Sequence, residues 1–270
     1  MATAKLRTKA QSVYICRFII RCAVFLVVAY LYLFRRDALG AGKGFFVMLP
    51  CGTWTLRLVA TVYWMVLILE MLRRMIPGKR LRHTDFIDIG CSKQFARNHA
   101  PVSKVDAEAL RLNMRKKDIG ALRVAALWLV LSAAVLALRL AGVLGDAELL
   151  LLWALCYLLD IVCILFFCPL QTFLMKNRCC ATCRIFRWDH FLTYTVLAFI
   201  PSFFTISLFA VSLVELVCWE WTRRRYPERF WEGSNENLQC KNCTDRLCEY
   251  KKAIHRGISR HEYKTQLQGK

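Results

Sequence analysis

The chain has 270 residues, 57% of them apolar, yet it carries 39 Lys and Arg against 19 Asp and Glu, a formal net charge of +20. No ordinary soluble domain has a use for both extremes, and here they are segregated: apolar runs about 20 residues long, enough for a ~30 Å hydrocarbon layer, alternate with short basic segments. Nucleic-acid binding is not expected, because no basic recognition helix or interleaved aromatic platform accompanies the charge, which serves first as an orientation signal.

The first apolar run, 18–34, follows Lys5, Arg7, Lys9 and Arg17, contains Arg21 and closes on Arg35 and Arg36. It lacks the short core and small-residue cleavage site of a secretory signal and reads as an uncleaved anchor. The second run, 54–72, has Arg57 near its start and Glu70 near its end. In the connection 73–120, Ser103-Lys-Val-Asp106 reads as a capping box opening a surface helix that ends at Gly120, with its basic end against anionic lipid headgroups or solvent. His83, Asp85, Asp88 and Cys91 upstream are irregularly spaced and read as loop chemistry. The third run is 121–143, and the fourth, 149–175, exceeds one crossing and should break near Pro169.

The final stretch, 191–221, is too long for one straight span and too short for two comfortable ones. Pro201-Ser202 could turn it as a hairpin or re-entrant pair, or Pro201 could kink a single tilted helix. Charge favours the hairpin: the N-terminal segment, 73–117, 176–187 and the chain from 223 onward are all basic, whereas the connection with Asp146 and Glu148 is acidic. The expectation is an all-α polytopic protein of the inner membrane, with four transmembrane helices plus a short C-terminal helical hairpin or re-entrant pair. Both termini and a cysteine-rich layer then lie in the cytoplasm, with a membrane domain over 1–221 and a basic tail over 222–270.

Of 14 cysteines, those in apolar runs read as small packing residues. The remainder sit in basic segments and, in a reducing compartment, are thiols or metal ligands and not disulfides. Cys240, Cys243 and Cys248, with His255 or His261 beyond, supply three sulfurs and an imidazole for tetrahedral zinc. The spacing fits iron–sulfur ligation less well. Cys179, Cys180 and Cys183 form a second cluster, with His190 a distant fourth ligand or an interfacial anchor beside Trp188. The two clusters together could share one four-sulfur site that staples loop to tail.

The tail pattern loosely resembles a zinc knuckle, with Cys248 where that family has His. The stretch from Cys180 to His190 faintly resembles the cysteine-rich domain of the DHHC protein acyltransferases, which implies a multi-pass enzyme with a zinc-bound cytoplasmic layer. Where that family carries a second His and the acyl-accepting Cys, however, this chain has Phe191 and Leu192, so covalent acyl transfer has no nucleophile there.

Inside the membrane, Asp160 is the outstanding residue: a carboxylate at that depth is protonated, or paired with Arg21 or Arg57, and serves either a proton or cation site or helix packing. Glu70, Arg139 and Glu215 lie nearer run ends and read as interfacial. No phosphate-binding Gly-rich loop, His-Glu-x-x-His or Gly-x-Ser-x-Gly is present, so no common hydrolase or nucleotide chemistry has support. Three readings remain: a membrane module that binds zinc, senses metal or docks a partner; a thiol or metal-dependent redox enzyme using Cys179 and Cys180; and an ion- or proton-coupled transporter using Asp160.

Overall fold

The computed structural model describes residues 8–39, 54–75, 91–177, 179–243, 245–246 and 248, and all regular structure among them is helical. The candidate ligands His255 and His261, the loop residues His83, Asp85 and Asp88, and the side chains of Arg57 and Cys91 lie outside what is described. Seven α-helices follow in order: α1 Lys9–Phe34, α2 Trp54–Met75, α3 Cys91–Gln94, α4 Ala107–Leu140, α5 Asp146–Leu165, α6 Asp189–Tyr194 and α7 Phe203–Arg225. Four of these, α1, α4, α5 and α7, are long and apolar enough to cross a membrane, and α2 is of similar length at 22 residues.

Pairwise contacts fix their directions. Near the start of α1, Tyr14 and Phe18 pack on Ile161, Ile164 and Leu165 at the end of α5, while Arg36 just beyond α1 pairs with Glu148 at the start of α5, so the two are antiparallel. Helices α2 and α7 run parallel: Trp64 Nε1 donates to Ser207 Oγ at 3.0 Å, and Arg74 reaches Glu215 at 3.4 Å. Consequently the start of α1, the ends of α2, α5 and α7 and the start of α4 share one end of the bundle, the basic one. Large apolar side chains such as Leu26, Leu129, Val130 and Val217 stay more than half exposed. In lipid they need no burial, and helix association rests instead on packing and interhelical hydrogen bonds.

Helix α4 does not stop at Gly120. Asp106 caps it by accepting from the Glu108 and Ala109 amides, and the helix then runs unbroken to Leu140, so the expected surface helix and third span are one. Gly120 is buried under the turn at 170–174, where a Cβ would stand 3.0 Å from Met175 Sδ. Four-residue caps and turns do not terminate a helix that neighbouring packing continues.

The end of α5 at Leu165, a break through Cys168, and a π-helical turn at 170–174 divide the fourth apolar run near Pro169. Beyond it, the final stretch has two unequal arms. A short arm, α6 with a 3-10 turn at 195–199, enters the bundle from the basic end; Ile200, extended as a residue before proline prefers, and Pro201-Ser202 reverse it. Thr205 Oγ1 closes the turn by donating to the Ile200 and Ser202 carbonyls at 2.7 and 2.9 Å. The return arm is the 23-residue α7. Tyr194, Val196, Leu197 and Ile200 join Leu149, Leu150, Trp153 and Ala154 of α5 in the main core, which places the tip of the re-entrant arm inside the bundle.

Outside the spans, 226–243 folds back over 91–102. Asn235 is fully buried, and its Nδ2 donates to the Lys93 and Arg229 carbonyls, both at 3.0 Å. Asp245 and Arg246 reach the start of α1, where their carbonyls accept from Thr8 Oγ1 and Gln11 Nε2.

Candidate functional site: a buried charge cluster

The re-entrant arm brings Asp189 and His190 against α2 and α7. Arg74 meets Asp189 in a two-pronged pair, Nη1 to Oδ1 at 2.8 Å and Nη2 to Oδ2 at 2.9 Å. Its Nη1 also donates to Glu215 Oε1 at 3.4 Å, and Glu215 Oε2 lies 2.7 Å from His190 Nδ1. None of the four side chains is more than 6% exposed. Only a guanidinium presents two parallel donors to a carboxylate, so lysine at position 74 could not make this arrangement. His190 stacks on Tyr194 with ring centres 5.7 Å apart.

One layer away, Arg21 pairs with Asp160, donates to the Tyr157 carbonyl at 3.0 Å, and lies 4.1 Å over the Tyr157 ring. Asp160 is within electrostatic reach of Asp189 and His190, so the two groups form one polar layer across α1, α2, α5, α6 and α7. Arg17 and Glu70 add a further pair at 3.1 Å. The Tyr194 hydroxyl, fully buried, has no hydrogen-bond partner among the described residues.

Two cavities flank this layer. The cationic members Arg21 and Arg74, with Arg17, Glu70, Tyr63 and Tyr157, line one of about 330 Å³. The anionic members Asp160 and Asp189 line the other, of about 250 Å³, together with Cys156, Cys163, Cys180 and Cys183. The two cavities share no lining residue, and Glu215 and His190 line neither, so the ion pairs stand between them as a wall.

No protein-family model, curated protein or solved structure matches this chain. The geometry therefore stands alone as the guide to function.

Several sequence expectations change position. His190 is 3% exposed and bonded to Glu215, so its ring faces the bundle and not the surface. Glu215 is buried too, at 1% exposure, between Arg74 and His190. Sequence reasoning missed Arg74, and saw Asp189 only as the neighbour of His190 in the cysteine-rich loop, since Arg73-Arg74 has the look of an ordinary basic helix end and Asp189 that of a loop.

At the basic end, Cys179 packs beside Tyr14 and Phe18 and lies within electrostatic reach of Cys180 and Cys240, which brings loop and tail clusters near one another. Cys180 Sγ donates to Gln171 Oε1 at 3.4 Å. Cys183 is buried against Ala121 and Val124, and burial pushes its thiol up to about 12; burial pushes the Cys179 thiol up too. Cys240 is exposed, whereas Cys243 and Cys248 are half-buried. Among the described residues no three His, Cys, Asp or Glu side chains are grouped to hold a metal ion.

Proposed function

We propose that this integral membrane protein binds and passes a proton or small monovalent cation at the cluster of Arg74, Asp189, His190 and Glu215. Charge balance carries the reading. Arg74 and Asp189 cancel, and so do the neighbouring pairs Arg21–Asp160 and Arg17–Glu70. Glu215 shares Arg74 with Asp189 and takes its second contact from His190, so with a neutral imidazole the cluster of Arg74, Asp189 and Glu215 holds one more negative than positive charge. Such a charge in a low-dielectric bundle costs several kcal/mol. One proton shared across the 2.7 Å Glu215–His190 contact restores neutrality, and a small cation entering past Asp160 and Asp189 from the 250 Å³ cavity would do the same. Asp160 serves here as a further carboxylate of the layer, held by Arg21.

Purified protein in liposomes carrying a pH-sensitive dye, driven by an imposed membrane potential, tests this. Proton flux above protein-free liposomes, abolished by Glu215→Gln, is expected; flux that Glu215→Gln leaves unchanged removes the reading.

The nearness of Cys179 to Cys240 favours a second one, a zinc-ligating module that ties loop to tail and docks a partner. The described residues do not supply three donors, so donors from outside them, His255 included, would have to complete the site. Elemental analysis of the wild type against Cys240→Ser/Cys243→Ser decides it: zinc bound by the first and lost from the second supports the module, and iron would redirect it to electron transfer. A thiol or metal-dependent redox enzyme using Cys179 and Cys180 has less in its favour, because burial raises the Cys179 thiol, which then stays protonated at neutral pH and is a poor nucleophile.

A further inference from the structure

Where the first turns of α4 meet the end of α7, a groove of about 800 Å³ opens at the basic end. Its cationic lining is entirely arginine: Arg111, Arg115, Arg184, Arg223 and Arg224. The acidic residues of the groove are already engaged, since Asp118 accepts from both Arg184 and Arg223 at 3.0 Å and Glu220 accepts from Arg184 and from Trp188 Nε1. Arg111, Arg115 and Arg224 are exposed, and no acidic partner among the described residues reaches them. Arg111 and Arg115 stand one helical turn apart on the same face of α4.

Depth identifies the ligand. Helix α4 has 34 residues, whereas a ~30 Å hydrocarbon layer takes roughly 20, so its first turns project beyond the layer and the groove runs from the layer's edge at Leu122 outward through the headgroups to Arg115 and Arg111. Leu110, Met114, Ile119 and Leu122 continue the groove wall down α4 toward the apolar span, an amphipathic slope that suits a molecule with a charged head and an acyl tail. Guanidinium groups grip phosphate oxygens in pairs, which a lone ammonium cannot do.

We infer that this groove is a binding site for the phosphate headgroup of an anionic phospholipid, held by Arg111, Arg115 and Arg224 with its acyl chains against Leu122 and the outer face of α4. Arg184 and Arg223, fixed by Asp118 and Glu220, form its rigid floor. The site is separate from the buried charge cluster and does not depend on what that cluster conducts.

Native mass spectrometry of the detergent-purified full chain, titrated with dioleoylphosphatidylglycerol or dioleoylphosphatidylcholine, tests it. The wild type should bind one phosphatidylglycerol well ahead of phosphatidylcholine. Changing Arg111, Arg115 and Arg224 together to Gln should weaken that binding about a hundredfold, at roughly fivefold per arginine near an anionic headgroup. A control triple, Arg35→Gln, Lys104→Gln and Lys241→Gln, removes the same charge from exposed positions outside the groove. An equal loss in the control, or no preference for phosphatidylglycerol, overturns the site. Glycerol 1-phosphate or inorganic phosphate in the millimolar range should leave lipid binding in place; full displacement by either would make the groove a site for a soluble phosphate and overturn the lipid assignment.

Discussion

The buried charge cluster and the cysteine layer make opposite impressions in sequence and in space. The cysteines stand out along the chain as two compact clusters, yet in the folded protein their sulfurs are dispersed among different surroundings: Cys183 under α4, Cys180 against Gln171, Cys240 exposed. The charged residues lie far apart along the chain, at 74, at 189 and 190, and at 215, yet they converge into a hydrogen-bonded unit with almost no solvent contact. Local spacing advertises what a turn can gather; it is silent about what parallel helices and a re-entrant arm bring together from 141 residues apart.

The sharpest way to break this contrast is Arg74→Met. It strands Asp189 and Glu215 without their cation, and removing one partner of a buried pair costs about 3–5 kcal/mol. Thermal unfolding in detergent should show a large loss or a failure to accumulate folded protein. The double variant Arg74→Met/Asp189→Leu should recover a good part of that loss, because it removes a charge along with its partner. If the double variant is no better than the single, the two side chains do not act as a pair.

Asn235 offers a smaller effect at the boundary of the tail. Its side-chain amide is the hub between the Lys93 and Arg229 carbonyls and the Ala100 and Asn237 amides, and Asn235→Ala would leave these part-buried backbone groups unpaired at about 1–3 kcal/mol. Limited proteolysis reads it directly, through faster cleavage within 226–243; unchanged cleavage would mean that the tail is held by other contacts.

Much of the membrane architecture was legible because its physics is local. The alternation of apolar runs and basic segments gave long helices with their basic ends together, and Pro201-Ser202 marked the reversal of the last stretch, since a residue before proline is driven out of the helix. The extent of α4 was not legible: Gly120 looks like a stop, and only the Met175 side chain packed on it shows that its lack of a Cβ serves close approach. Asp160 was legible as a carboxylate within an apolar run that needs a partner, and the structure pairs it with Arg21. Glu215 carried the same signal more weakly, being an acid within an apolar run beside a polar, aromatic helix end.

Thiol reactivity sharpens the contrast from the cysteine side. Burial raises Cys183 to about 12 from an ordinary 9.0, so the folded state favours the neutral thiol. The sign follows: this contribution to stability is complete below pH 9 and is lost as pH rises from 9 toward 12, where the unfolded chain ionises first. At pH 7.5, iodoacetamide should modify exposed Cys240 promptly and Cys183 many times more slowly, read by peptide mass mapping. Protection of Cys183 that survives a chelator reflects burial; protection that a chelator abolishes would place Cys183 in a metal site and turn the comparison around.

The smallest effect belongs to the opposite end of the bundle, where Arg36 pairs with Glu148 but is itself 63% exposed. Chemically it is the same Arg–carboxylate contact as Arg74–Asp189, with water in place of protein around it. Glu148 also keeps other partners, accepting from the Gly145 amide at 2.8 Å and from the Tyr32 hydroxyl at 3.3 Å, so Arg36→Gln leaves no orphaned charge. Its cost should be under about 1 kcal/mol and should shrink further in 0.5 M salt, where screening weakens an exposed pair. A loss rivalling that of Arg74→Met would show that burial is not what separates the two pairs, and the argument that desolvation makes the inner cluster functional would fail with it.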